Sequence, residues 1–311
     1  MYDTVGFSLK ANHAPGIDFM RVTPRFFDAR GEHVFNNGGS SISGYLDCLK
    51  VSATEAYLKI TEGSFCKWFL GDNFQTLTEA HTKQAIEKLS DILHLPFDKA
   101  DITRLDYGQN MITKYPPEVY LNHLGKLNYY SRLPQPNGLY YQNNKRQLIF
   151  YNKIKEQRTK GESIPDLYKG ENVLRYEQRH KKWLKADLNK ERITGSDLYD
   201  CKFYKQVGDS LRKSYAAIQK VNQLQIDYSK ITKTSQLSSS SIAYTVSQHG
   251  GELAYCEGIV EAFKKGELTK KQAHDLTKAV KEACKSKLNT KRSELADELD
   301  TLILGVACLE E

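Results

Sequence analysis

Over the first 60 residues, apolar positions fall in short alternating runs broken by turns, the pattern of strands that bury one face. Asn36-Asn37-Gly38-Gly39-Ser40-Ser41 is a turn-rich break, and Tyr57-Leu58-Lys59-Ile60 resumes the extended pattern. The period then changes. Thr78 is placed to cap a helix running to about His94, with Ala85, Ile86, Leu89, Ile92 and Leu93 on one face and Pro96 as its stop. Asp101 to Met111 predicts a strand, and Pro116-Pro117 opens a short helix through Tyr120, Leu121 and Leu124. Residues 138–142 and 147–154 flank Asn143-Asn144-Lys145-Arg146 as a hairpin, and Asn172 to His180 gives one more strand.

From Ser196 onward the spacing is helical, through Leu211, Tyr215, Ile218 and Val221. The serine-rich stretch 235–241 reads as a linker or exposed loop. Helices follow near 252–265, 269–287 and 290–305, with Thr269 and Thr290 as caps. This order predicts an α+β fold. An antiparallel-sheet domain with flanking helices would span residues 1–190, followed by a helical C-terminal region over 191–311 with a break near 232–250.

Composition narrows the classes. A chain of 311 residues with 40% hydrophobic content can bury a real core. No apolar run approaches the roughly 20 residues that span a bilayer, and the N-terminus lacks the pattern of a secretory signal. The expectation is a soluble intracellular protein with no membrane partner. Cysteines 48, 66, 201, 256, 284 and 308 form no C-x-x-C pair, which argues against a zinc ribbon and a disulfide framework. The eight histidines are equally dispersed, none at metal-ligand spacing from another.

Charge adds a location. The chain carries a formal +7, and between Tyr141 and Lys185 twelve Lys or Arg residues face five acids, an excess equal to that of the whole chain. A field of that sign favours polyanions, of which nucleic acid is the commonest large one. Lys145, Arg146, Lys155, Lys181 and Lys182 in this stretch are candidate phosphate contacts.

Alternate residues of a strand share a face. Arg104 pairs in this way with Asp106, Tyr151 with Lys153, and Arg175 with Glu177, while Leu105, Tyr107, Leu148, Phe150, Leu174 and Tyr176 fall on the opposite faces. If these strands are neighbours, one polar face gathers two carboxylates, two arginines, a lysine and a tyrosine. That set is chemically coherent. Two carboxylates offer hard oxygens to Mg²⁺ or Mn²⁺, and such a cation polarises a phosphodiester. A tyrosine hydroxyl becomes a usable nucleophile once the cost of its phenolate is lowered. Arg104, Arg175 and Arg179 would position phosphates. The plain alternative is a solvated sheet face of ordinary ion pairs.

These runs also resemble a known family. Ile102-Thr103-Arg104-Leu105-Asp106, then Leu148 through Glu156, then Val173-Leu174-Arg175-Tyr176-Glu177-Gln178-Arg179 are similar to blocks of the filamentous-phage replication initiators of the gene II and gene X type. Initiators of small staphylococcal rolling-circle plasmids show the same three blocks in the same order. Ser64 to Asn73 resembles a further segment upstream in the phage proteins, and the likeness covers roughly residues 40–190. The resemblance implies a nuclease domain in which Tyr151 is the nicking nucleophile, Lys153 the accompanying basic residue, and Asp106 and Glu177 ligands to Mg²⁺ or Mn²⁺. It implies single-stranded or supercoiled origin DNA as substrate, a host polymerase and helicase as partners, and the bacterial cytoplasm as location. Two departures stand out: there is no His-hydrophobic-His pair, and Asp72 occupies a place where some phage relatives have histidine. The remaining metal ligands are therefore open.

A conjugative relaxase would use the same chemistry, and a non-enzymatic DNA-binding protein would use the basic stretch without metal or covalent product. The C-terminal helices are open to origin recognition, homodimerisation or helicase contact, against a packing subdomain that covers the sheet.

Overall fold

The computed structural model of the chain describes residues 1–22, 27–35, 39–180, 184–221, 224–249, 251–285 and 290–305. Its strands are β1 (Tyr2–Lys10), β2 (Asp28–Val34), β3 (Ser40–Leu46), β4 (Leu49–Thr54), β5 (Tyr57–Glu62), β6 (Asp101–Thr113), β7 (Ser131–Gln135), β8 (Gly138–Gln142), β9 (Arg146–Asn152), β10 (Asn172–His180), β11 (Leu224–Ile226) and β12 (Thr290–Arg292). Its helices are α1 (Phe19–Val22), α2 (Phe65–Leu70), α3 (Glu79–Leu93), α4 (Pro117–Leu121), α5 (Lys153–Lys160), α6 (Leu184–Asp187), α7 (Cys201–Ala216), α8 (Thr234–Gln248), α9 (Gly251–Lys264), α10 (Lys270–Lys285) and α11 (Glu294–Leu304). The class is α+β: a large antiparallel sheet flanked by helices, then a helical C-terminal region.

Two compact units share the chain. The first comprises residues 1–114 and 129–214, and the second comprises 115–128 together with 215–311. Ten strands of the first unit form one sheet in the order β2-β3-β4-β5-β1-β6-β10-β9-β8-β7, among the described residues. Every pairing in it is antiparallel. The three strands singled out in the sequence are therefore neighbours, β6-β10-β9. Leu105, Tyr107, Leu148, Phe150, Leu174 and Tyr176 on their core face are all 0% exposed. Phe150 and Tyr176 stack at 4.3 Å, and the Tyr176 hydroxyl donates to the Leu211 carbonyl of α7, so this helix lies against that face. Gly108 lets β10 close on β6, since a Cβ there would stand 2.2 Å from the Tyr176 carbonyl oxygen.

Local chemistry explains the helix boundaries. Thr78 caps α3 by accepting from the His81 amide, and His94 ends it in the left-handed region at φ 52°. Ala85, Ile86, Leu89 and Leu93 are its buried positions, as the spacing predicts. Three expectations need correction. Lys153 and Ile154 do not extend the hairpin strand; they open α5, because the Asn152 side chain accepts from the Lys155 amide and turns the chain into a helix. The stretch 235–241 is no linker but the start of α8. Gln236 accepts from the Lys233 amide at 3.0 Å, and Ser240, Ala243 and Val246 bury one face at helical spacing. Thr290 belongs to β12, which pairs with β11, and α11 begins only after Ser293. The Asn36–Gly38 part of the expected turn lies outside the described residues.

In the second unit, α8, α9 and α10 pack around Val246, Ile259 and Val280. Thr269 and Gln272 exchange hydrogen bonds ahead of α10, as a capping box does. Segment 115–128 contributes Tyr120, whose hydroxyl donates to Glu298 at 2.8 Å, and Leu124, which bridges Lys220. No described helix is long and apolar enough to cross a membrane.

Candidate active site

Strand register fixes which side chains meet. On β10, Arg175 stands opposite Asn110 of β6 and Tyr151 of β9, while Glu177 stands opposite Gly108 and Ile149. Arg179 stands opposite Asp106. Asp106, Arg175, Glu177 and Tyr151 thus share the face away from the α7-covered core. This face is not a solvated surface. Asp106 and Glu177 are 1% exposed and Arg175 is 2% exposed. Helix α5 helps to close it, with Ile154 packing on Phe74 and Val173.

Buried charges demand partners, and each one here has them. Arg104 grips Asp106, Nε lying 3.1–3.2 Å from both carboxylate oxygens and Nη2 2.5 Å from Oδ2. Arg179 Nε stands 2.6 Å from Glu177 and 3.8 Å from Asp106, and so bridges the two acids. Arg175 binds Glu177 at 3.1 Å and Asp3 at 2.8 Å, and it donates to the Asn73 carbonyl and the Asn110 amide oxygen at 3.3 Å. Burial pushes the Asp106 carboxyl up to about 6; Arg104 opposes this shift and the Glu177 charge adds to it. Burial also favours protonation of Asp3, but Arg175, Ser64 and Lys153 outweigh it and hold that carboxyl low.

The Tyr151 hydroxyl donates to Glu177 Oε2 at 3.5 Å. Burial holds its pKa well above the usual phenol range, against the pull of Arg175. The phenol is therefore neutral at rest, and Glu177 is an acceptor placed for its proton. Tyr151 also lines a cleft of about 400 Å³ bounded by the β7–β8 turn, β8, β9, α5 and Arg179. Beside it, Lys153 is 1% exposed with Nζ 2.9 Å from Glu156, while Lys160 holds the other Glu156 oxygen. Burial, then the nearby Arg175, lowers the Lys153 pKa.

The structure distributes the expected phosphate contacts unevenly. Arg104 and Arg179 stand at the rim with side chains 39% exposed. Lys145 is exposed at the hairpin turn and Lys155 is exposed on α5. Arg146 forks onto Asp187, which also meets His180 at 3.0 Å. Arg175, expected to position phosphates, is buried and ion-paired with Asp3 and Glu177. Lys181 and Lys182 lie outside the described residues. Asp72 turns its side chain to its own loop, accepting from the Phe74 amide at 2.8 Å.

Sequence reasoning passed over Asp3, Asn110 and Glu156. An acid just ahead of the alternating stretch Val5–Leu9 is the one local signal for Asp3. Lys153 and Glu156 stand at i,i+3, a spacing that carries meaning only once the segment is known to be helical. Among the described residues, no three or more His, Cys, Asp or Glu side chains gather as a metal site. Asp106 and Glu177 are two carboxylates of this face, bridged by Arg179.

Comparison with curated proteins finds none that matches the chain. A model of the family described as the N-terminal part of the replication-associated gene II protein matches residues 1–207, a span that holds every residue of this site. The chain belongs to that family, the filamentous-phage gene II-type replication initiators.

Proposed function

We propose that this replication protein nicks one strand of DNA through Tyr151 and retains the 5′ end as a phosphotyrosine. The observation that carries this reading is the place of Tyr151, its hydroxyl within reach of the buried Glu177 carboxylate and its side chain at the wall of a cleft. In the reaction the Tyr151 oxygen attacks phosphorus, the P–O3′ bond breaks, and the new bond is an O–P ester to the tyrosine. One phosphodiester is exchanged for another, so no external energy source is needed. The phenol proton passes to Glu177, which its hydroxyl already meets, and the departing 3′ oxygen takes a proton from water and leaves as a hydroxyl. Rejoining is the reverse attack, by a 3′-hydroxyl on the phosphotyrosine.

The two carboxylates suit a hard divalent cation. Burial is the main cause that raises the Asp106 carboxyl, and the neighbouring Glu177 charge adds to it, a cost that a bound cation would offset. Asp106 and Glu177 would hold Mg²⁺ or Mn²⁺, with water completing the shell as Mg²⁺ prefers. Such a cation supplies polarisation of the phosphodiester and compensates its developing charge. Arg104 and Arg179, half-exposed at the rim, can turn from the carboxylates toward phosphate oxygens as they yield. Arg175, held below, keeps Glu177 oriented.

A covalent-adduct assay tests this. Single-stranded oligonucleotides tiling the intergenic region of the protein's own replicon are incubated with Mn²⁺ and the full chain, then run on a denaturing gel. A metal-dependent protein–DNA band should form with the wild type and disappear in Tyr151→Phe. A band that survives Tyr151→Phe would move the nucleophile elsewhere. No band from any variant, with binding intact in a gel shift, would leave a DNA-binding protein without this chemistry.

A further inference from the structure

Across the site face, register sets out an order: Asp106 on β6, Glu177 on β10, Tyr151 on β9, then Gly138 and Tyr140 on β8. The carboxylates lie to one side of Tyr151 and the 400 Å³ cleft to the other. Its volume falls within the roughly 300–1,000 Å³ typical of small-ligand sites. Gly138 stands opposite Tyr151, and a Cβ there would approach the Tyr151 Cβ to 3.1 Å and the Phe150 carbonyl oxygen to 2.5 Å. Glycine thus keeps the floor beside the tyrosine open. Ile149 makes the rest of that floor apolar, with the Tyr140 ring next to it. Gln135 and Asn137, exposed at the β7–β8 turn, supply two side-chain amides at the edge. Lys160 and Arg179 add cations to the lining, beside the Glu156 carboxylate that Lys160 holds.

An aromatic ring, an apolar floor, amides that both donate and accept, and flanking cations together complement one nucleotide. We propose that the cleft takes the unpaired nucleobase adjoining the phosphate that Tyr151 attacks, stacked on Tyr140 with its edge against Gln135 and Asn137. A base still paired in a duplex has that edge occupied, so the cleft selects melted or single-stranded DNA. It would read one position of the nick site. This inference rests on Tyr151 as the nucleophile, and its test is arranged to separate the two.

Single-stranded oligonucleotides carrying one 5-iododeoxyuridine at successive positions are irradiated with the full chain, and the cross-linked peptide is mapped. Cross-linking needs binding but no nicking. The expected result is a cross-link at Tyr140, strongest from one position and lost in Tyr140→Leu. In the adduct assay, Tyr140→Leu should slow capture about ten-fold, the loss of one base–aromatic stack. Asn137→Ala, at an exposed turn where folding is not at stake, should relax base preference at that same position. Cross-links mapping outside the β7–β9 residues, or a base preference unchanged in both variants, would overturn the pocket while adduct formation still upheld Tyr151. A Tyr140 cross-link with no adduct would do the opposite, retiring Tyr151 and keeping the cleft as a single-strand site.

Discussion

Arg175 is held between Asp3 and Glu177, so removing it would leave two carboxylates buried with too little positive charge. Arg175→Met should cost about 3–5 kcal/mol, the usual penalty for breaking a buried ion pair from one side. Urea unfolding measures it, and a loss below about 1 kcal/mol would mean that the acids relax toward water. His180 makes the opposite kind of contribution. Burial drives its pKa down to about 4, against the pull of Asp187. A neutral ring with its proton on Nδ1 donates to Asp187 and leaves Nε2 to accept from the Tyr107 hydroxyl at 2.9 Å. The unfolded chain takes up this proton near pH 6.5. Stability is therefore whole above that pH and is lost as pH falls toward 4, by about 3 kcal/mol at the lower end. His180→Gln should flatten that part of the stability–pH curve relative to wild type. Curves that stay parallel between pH 6.5 and 4 would show the ring is not held neutral.

At the scale of elements, the decisive event is the switch from strand to helix one residue after Tyr151. Asn152 is the last residue of β9 and the cap of α5, so it sets where Lys153 and Glu156 stand relative to the tyrosine. Asn152→Ala should destabilise the chain by about 1 kcal/mol and Asn152→Asp by far less, read as shifts in the urea midpoint. Equal losses for both would mean that burial of this residue, not its cap, matters. The same switch marks where the sequence stops being legible. β6 and β10 could be read closely because their alternation is clean and their neighbours are apolar. The shared face of Asp106, Glu177 and Tyr151 followed from it. The alternation of Leu148 and Phe150 continues formally through Asn152 and Ile154, so periodicity alone carried the strand two residues too far. The serine run of α8 has weak local preference, and its helix comes from the Gln236 bond and the face buried by Ala243 and Val246. Asp3 was hidden for another reason: its partner Arg175 is brought to it by sheet order, which no local pattern encodes.

For the whole molecule, the interleaving of the two units governs how the chain can be cut. Segment 115–128 sits in sequence between strands of the sheet unit, yet it packs within the helical one. Its Tyr120 and Leu124 are 0% exposed and Leu121 is 7% exposed. A fragment of residues 1–214 would keep this segment without residues 215–311, where its partners lie. That fragment should aggregate, and changing Tyr120, Leu121 and Leu124 to polar residues should restore its solubility in a sedimentation assay. Equal solubility of the two fragments would show that the segment finds cover elsewhere.

Interleaving also bears on how such a gene can evolve. Exchange between related replicons by a single crossover downstream of the family's shared region would join a new helical unit to an old segment 115–128. The hybrid would carry a core whose two halves had never been selected together. Recombination is thus penalised at the boundary that a linear map of the gene makes most inviting. Among descendants of this lineage, substitutions in 115–128 should be inherited jointly with those after residue 215, although much of the sheet is encoded between them.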